Sequence, residues 1–131
     1  MNRARILLAD DNPGIRESVI DMLSPAFDVI GEAVDGQALV HAAIRLKPDV
    51  MVLDICMPVM TGIDAANLLK KMGVTAKIIF LTVHDDCDFV DAAFATGALG
   101  YVVKSRMNAD LVSAIQEALT GHRFMSQIES A

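Results

Sequence analysis

Tryptophan is absent from the 131-residue chain, tyrosine occurs once, and the two cysteines, Cys56 and Cys87, stand outside any paired metal-ligand spacing. A thiolate metal centre and a disulfide framework are thereby set aside, and both thiols read as reduced cysteines of a cytosolic domain. No stretch approaches the roughly 18 consecutive apolar residues that a membrane span needs. The opening Met1-Asn2-Arg3-Ala4-Arg5 runs into a short apolar segment with no cleavage site, so the expected location is the cytoplasm. Basic charge is in deficit: 11 Lys and Arg face 17 Asp and Glu, a formal net charge of −6. A domain so charged lacks the footprint that holds proteins on phosphate backbones, so it should not bind DNA unaided. With 53% hydrophobic and 21% charged residues, the composition is that of one globular domain with one continuous core.

What is present is a rhythm. Five short apolar runs recur: Ile6 to Ala9, Val29 to Ala33, Val50 to Leu53, Ile78 to Leu81 and Tyr101 to Val103. They lack polar alternation, as strands of a parallel sheet covered on both faces do. Between them lie helical stripes. Ile15, Val19, Met22 and Leu23 share one face, as do Leu111, Ile115, Ala118 and Leu119, and both faces are expected to point to the core. Asn12 before Pro13 reads as a helix cap with proline in the first turn, and Thr61 with Asp64 three residues on as a capping box. Five alternations of strand and helix predict a doubly wound α/β sheet, because right-handed crossovers are the usual way to join parallel neighbours.

In such a sheet ligands bind beyond the carboxyl ends of the strands, where the winding reverses. Asp10-Asp11 ends the first strand, Asp54 the third, Thr82 the fourth and Lys104 the fifth. Each residue alone has a plain explanation: an Asp pair caps helices, a lone Lys is a solvated charge, and Thr favours strands. Their joint placement at four strand ends is the informative fact. Three carboxylates in one small site repel one another unless a cation sits among them, and oxygen-only ligands suit Mg²⁺, with Mn²⁺ as a substitute. A carboxylate screened in this way can attack phosphorus, with Lys104 and Thr82 completing the cradle.

At these residues the sequence resembles the response-regulator receiver family of bacterial two-component systems. The resemblance runs through Ile6-Leu7-Leu8-Ala9-Asp10-Asp11, Leu53-Asp54-Ile55-Cys56-Met57-Pro58-Val59-Met60-Thr61-Gly62, Leu81-Thr82 and Gly100-Tyr101-Val102-Val103-Lys104. It implies a flavodoxin-like (βα)5 fold with a five-stranded parallel sheet in the order 2-1-3-4-5. It also implies Asp54 as phosphoacceptor, Asp11 as a direct Mg²⁺ ligand, Asp10 as a ligand largely through water, and the main-chain carbonyl of Cys56 as a further ligand. Lys104 would pair with a phosphoryl oxygen. Thr82 and Tyr101 would form the switch: the Thr82 hydroxyl moves to the phosphoryl group, Tyr101 turns inward, and the surface of the fourth helix, fifth strand and fifth helix changes. Phosphorylation supplies the charge and acceptor oxygens that make donors reorganise.

Lys104-Ser105, the segment Leu81-Thr82-Val83-His84-Asp85-Asp86 and the ending Leu119-Thr120-Gly121-His122-Arg123-Phe124-Met125-Ser126 resemble the LuxR or NarL type of transcriptional regulator. Ser105 stands where many receivers have proline, so a trans peptide is expected after Lys104. The implied organisation is a receiver over residues 1–121, with 122–131 as a tail or the start of a linker to an absent helix-turn-helix domain. The linker-like ending favours an excised receiver over a stand-alone one. The implied partners are a sensor histidine kinase, a second copy on phosphorylation, and DNA only through the absent domain. Val83 stands where the family has a smaller residue and is expected to crowd the phosphoryl site. Cys56 and His84 lie at positions that in this family tune loss of the phosphoryl group to water. Acidic Asp85, Asp86, Asp88 and Asp91 read first as a solvated face, with partner contacts as the other reading.

Three other functions compete. A haloacid-dehalogenase-like aspartyl phosphatase needs a second Asp two residues after the nucleophile, where this chain has Cys56. The chain is accordingly expected to act on its own phosphoryl group and not as an enzyme on outside substrates. A flavodoxin-like cofactor binder needs a phosphate-cradling loop where Asp10-Asp11-Asn12-Pro13 stands. An interaction module that is never phosphorylated would have no use for Asp54, Thr82, Lys104 and the acidic pair together.

Overall fold

The computed structural model describes residues 3–84 and 87–127, with the side chain of Cys87 left out. Asp85 and Asp86 lie outside the described residues. Elements run β1 (Arg5–Ala9), α1 (Pro13–Leu23), β2 (Asp28–Ala33), α2 (Gly36–Leu46), β3 (Val50–Leu53), α3 (Gly62–Lys71), β4 (Lys77–Thr82), α4 (Cys87–Ala95), β5 (Gly100–Val103), α5 (Met107–Leu119) and β6 (Phe124–Met125). The first five strands form the doubly wound parallel sheet in the expected order β2-β1-β3-β4-β5.

Strand pleating sends alternate side chains to opposite faces, and both faces are covered. Ile6, Leu8, Val50, Val52, Ile79, Leu81 and Val102 join Val19 and Leu23 of α1 and Leu111, Ile115 and Ala118 of α5 on one side. Leu7, Ala9, Met51, Leu53, Ile78, Phe80, Tyr101 and Val103 pack with residues of α2, α3 and α4 on the other. Two coverings explain why the runs show no polar alternation. Ile15 and Met22 are partly buried against the first cluster as expected, whereas Leu119 is 40% exposed. Leu119 is the last residue of α5, where the helix leaves the sheet.

Both predicted N-caps form, the Thr61–Asp64 box through its Thr61 half. The Asn12 side chain accepts from the Ile15 N–H at 3.1 Å with Pro13 in the first turn, and Thr61 Oγ1 accepts from the Asp64 N–H at 3.1 Å. No peptide bond is cis among the described residues, in line with the trans Lys104-Ser105 bond.

The sheet has six strands where the sequence indicates five. The segment read as a tail adds β6, parallel to β5, with Gly100 opposite Phe124 and Tyr101 opposite Met125. The Phe124 N–H donates to Leu99 O and the Ser126 N–H to Tyr101 O, both at 2.8 Å. A free β5 edge would leave those carbonyls without strand partners, and β6 supplies them. Two residues of strand leave no periodic signal in a sequence.

Candidate functional site

Asp10, Asp54 and Lys104 each stand one step past a strand and Thr82 is the last residue of one, so sheet register sets their mutual placement. Leu8 pairs with Val52 and Ala9 with Leu53, which brings Asp10 and Asp54 to the same level on neighbouring strands. Thr82 pairs with Val103, placing Lys104 just beyond it. The Asp54 N–H donates to Ala9 O at 2.9 Å and the Asp10 N–H to Ala33 O at 3.1 Å, continuing the ladder into the site.

The structure brings Asp10, Asp11 and Asp54 together, with one carboxylate oxygen of each within 4.8 Å of the others. Asp10 and Asp54 are buried and Asp11 is exposed. Lys104 Nζ lies 2.8 Å from Asp10 Oδ2 and 3.1 Å from Asp54 Oδ2, serving as an internal cation. Burial holds the Asp54 carboxyl above its ordinary range even though the Lys104 charge and hydrogen bond pull the other way, and Asp10 adds to the upward push. For Lys104, burial would lower the ammonium pKa, yet the contacts with Asp10 and Asp54 together raise it.

Asp10 Oδ2 is buried and, although charge-paired with Lys104, is not aligned as a hydrogen-bond acceptor. A buried carboxylate oxygen with spare lone-pair capacity, beside two further carboxylates, fits a hard divalent cation, which takes oxygen ligands. Cys56, whose main-chain carbonyl the resemblance adds to the ligand set, stands on the loop after Asp54.

Thr82 is fully buried, and its Oγ1 accepts from the His84 N–H at 3.2 Å. The Tyr101 ring is also fully buried, and its hydroxyl donates to His84 O at 2.6 Å. Both switch candidates thus converge on the same short loop. Cys56 Sγ meets His84 Nε2 at 2.9 Å, and the imidazole stacks on Phe89 with ring centroids 4.2 Å apart. Val83, one residue past Thr82, is 69% exposed.

Sequence reasoning gave no role to three residues that shape this pocket. Arg16 Nη1 donates to Asp10 O at 2.7 Å while its Nε pairs with Glu32 at 3.0 Å, fixing the main chain that carries the acidic pair. Gly62 and Gly36 are the other two. A β-carbon on Gly62 would collide with the Asp54 carbonyl, and one on Gly36 with the main chain of Met60. The loop from Asp54 to Gly62 is therefore pressed between two glycines. Asn12, read only as a cap, also donates its N–H to Asp10 Oδ1 at 2.9 Å.

A parallel doubly wound sheet with an acidic cluster and a lysine at its carboxyl edge defines a class, and comparison with known proteins agrees with it. Residues 6–116 match the family model described as the response regulator receiver domain. The chain belongs to that family. It is 38% identical over 125 residues to the nitrate/nitrite response regulator protein NarP of Escherichia coli, covering 94% of this chain and 58% of NarP. It is 33% identical over 132 residues to the transcriptional regulatory protein YxjL of Bacillus subtilis, covering 99% and 61%. Among solved structures, a LuxR-family two-component response regulator from Aurantimonas superimposes with a TM-score of 0.90 at 36% identity, over 95% of this chain and 91% of that one. The signal receiver domain of a response regulator named NarL from Mycobacterium tuberculosis gives 0.89 at 30% identity, over 93% and 100%. The resemblance to LuxR and NarL-type regulators therefore holds, and the chain spans about three fifths of the length of the curated relatives it matches. Among the described residues no helix is long and apolar enough to cross a membrane.

Proposed function

We propose that this receiver accepts a phosphoryl group on Asp54 and signals by the resulting change around Thr82 and Tyr101. The observation that carries the reading is Lys104 Nζ bridging Asp10 and Asp54 within the three-carboxylate cluster. An Asp54 oxygen attacks phosphorus, the bond from phosphorus to the donor's histidine nitrogen or acyl oxygen breaks, and the electron pair leaves with that group. Lys104, freed from full commitment to Asp54, meets the charge on the transferring oxygens. The Thr82 hydroxyl, whose oxygen accepts from the His84 N–H, turns to donate its O–H to a phosphoryl oxygen.

Mg²⁺ is the cation that best suits Asp10, Asp11, Asp54 and the Cys56 carbonyl, and when bound it screens the carboxylates and steadies the phosphoryl oxygens. Mn²⁺ should replace it. A sensor histidine kinase is the natural donor. Relatives whose names call them transcriptional regulatory proteins and which are longer than this chain support an output through a carboxyl-terminal DNA-binding domain, and pairing of two copies on phosphorylation belongs to the same reading. The site is built to be modified and not to turn over outside substrates, because the place of a phosphatase's second carboxylate is held by Cys56, in contact with His84. A cytoplasmic location follows from that partnership.

The test is incubation of wild type and Asp54→Asn with acetyl phosphate and Mg²⁺, followed by intact mass measurement. Wild type should gain one phosphoryl group and the variant none. Equal gain by Asp54→Asn would overturn the assignment.

A further inference from the structure

The segment after α5 touches all three elements of the surface that Tyr101 is expected to control. Arg123 lays its guanidinium over the Phe94 ring of α4, 4.9 Å from the centroid, and Phe94 in turn packs against Tyr101 with ring centroids 6.3 Å apart. Phe124 and Met125 pair with β5, and the Ser126 N–H donates to the carbonyl of Tyr101 itself. Ser126 is almost fully buried. Its hydroxyl accepts from the Val103 N–H at 3.3 Å and donates to Asp110 Oδ2 of α5 at 2.7 Å. Asp110 also accepts from Arg106 Nε at 3.0 Å.

We propose that residues 123–126 form a strap that docks on the edge formed by α4, β5 and α5, locked by Ser126 on Asp110, and that its seating is coupled to the position of the Tyr101 ring. The coupling has two physical routes. Through the side chain, Tyr101 supports Phe94, which carries Arg123. Through the main chain, Tyr101 O holds Ser126. Tyr101 is inward here, its hydroxyl held by His84 O on the loop next to Thr82. An outward ring would take away the support under Phe94 and disturb the β5 edge, loosening the strap. Since phosphorylation is expected to favour the inward ring, it should tighten the strap. That last step rests on the phosphoacceptor reading of Asp54, whereas the lock itself does not.

The chain contains one tyrosine and no tryptophan, so its intrinsic fluorescence reports Tyr101 alone. Without any phosphodonor, Ser126→Ala should speed hydrogen exchange at the amides of 124–126 by about three- to tenfold, the range that one lost hydrogen bond of ordinary net strength gives. It should also change Tyr101 emission. Arg123→Ala, an exposed substitution with no packing to lose in the core, should shift the emission in the same sense. Faster exchange with unchanged Tyr101 emission in both variants would overturn the coupling, and unchanged exchange in Ser126→Ala would overturn the lock. In a second arm, acetyl phosphate and Mg²⁺ are added and intact mass is read on the same samples. Wild type that gains the phosphoryl mass should exchange more slowly at 124–126, and Ser126→Ala should gain the mass without that protection. Wild type that gains the mass with no change at 124–126 would refute tightening. Wild type with no mass gain would refute the phosphoacceptor reading and the tightening with it, while the first arm still decides the strap.

Discussion

Gly62 sits so close to Asp54 that any β-carbon at position 62 would overlap the Asp54 carbonyl oxygen. The contact is with main chain, so no side-chain rotation relieves it. Gly62→Ala must displace either the start of α3 or the residue proposed to take the phosphoryl group. The expected outcome is a loss of about 2–4 kcal/mol in urea unfolding together with sharply slower labelling by acetyl phosphate. Gly73→Ala is the control: its φ is +81° but nothing lies within 4 Å of the added carbon, so it should cost only about 1 kcal/mol and leave labelling alone. Because Gly62 does not have a positive φ, equal effects of the two substitutions would show that the close approach to Asp54 is relieved at little cost.

The same loop holds Val59 at a φ of +72°, a conformation that β-branched side chains strongly disfavour, with 74% of the residue exposed. Little packing offsets that strain. Val59→Asn keeps a side chain that tolerates the left-handed region and should stabilise the domain by about 1 kcal/mol. Chemical denaturation with an unchanged slope and a higher midpoint would bear this out; a lower midpoint would mean that Val59 makes a contact worth more than its strain.

Asp54 carries a pH signature. Its carboxyl pKa is raised by burial beyond what Lys104 restores, so its contribution to stability is complete below the ordinary carboxylate range and lost as pH rises through the folded-state pKa. At neutral pH the ionised group therefore weighs against folding. In chelator, Asp54→Asn should raise the thermal midpoint at pH 7, and the gain should fade once the pH drops below about 4. A lower midpoint at pH 7 would mean that the pair with Lys104 outweighs desolvation.

Asp110 should behave in the opposite sense. The Ser126 hydroxyl, followed by Arg106, holds its carboxyl below the ordinary range against the effect of burial. Stability from this group is present above the usual carboxylate range and lost as pH falls through its lowered folded-state pKa. Asp110→Asn should thus be less stable than wild type at pH 7, with the difference closing in acid. A difference independent of pH would assign the effect to shape and not to charge.

How much of this was legible in the residues follows from the kind of signal each one leaves. Strands such as Val50–Leu53 announce themselves as unbroken aliphatic runs because both sheet faces are covered, and Asp10, Asp54, Thr82 and Lys104 stand at their ends, where the fold gathers ligands. Gly62 lay inside the recognised motif, but its task depends on how near the Asp54 carbonyl comes, which no spacing encodes. Arg16 reaches Asp10 O across a helix turn and a loop, a contact with no local pattern. Ser126 is the sharpest case. A serine five residues after a glycine, past the end of the last helical stripe, reads as linker, and only the β5 edge and a carboxylate on α5 turn it into a buried anchor.

Lys104 and Asp11 should separate metal binding from phosphoryl transfer. Lys104 now supplies the positive charge that Asp10 and Asp54 need, so it competes with an incoming cation for the same oxygens. Asp11 is exposed, has a carboxylate oxygen within the same cluster, and is free of that competition. Asp11→Asn should weaken Mg²⁺ binding by about tenfold or more, since a hard cation loses one of its few charged ligands. Lys104→Ala leaves three carboxylates with no internal cation, so calorimetric titration should find Mg²⁺ affinity held or tightened. Labelling by acetyl phosphate should nevertheless slow in Lys104→Ala, because the ammonium that meets the transferring oxygens is gone, and Lys104→Arg should restore only part of it, since a planar fork replaces a point charge. If Lys104→Ala instead loses Mg²⁺ as Asp11→Asn does, the lysine is organising the metal site, and its assignment to the phosphoryl group fails.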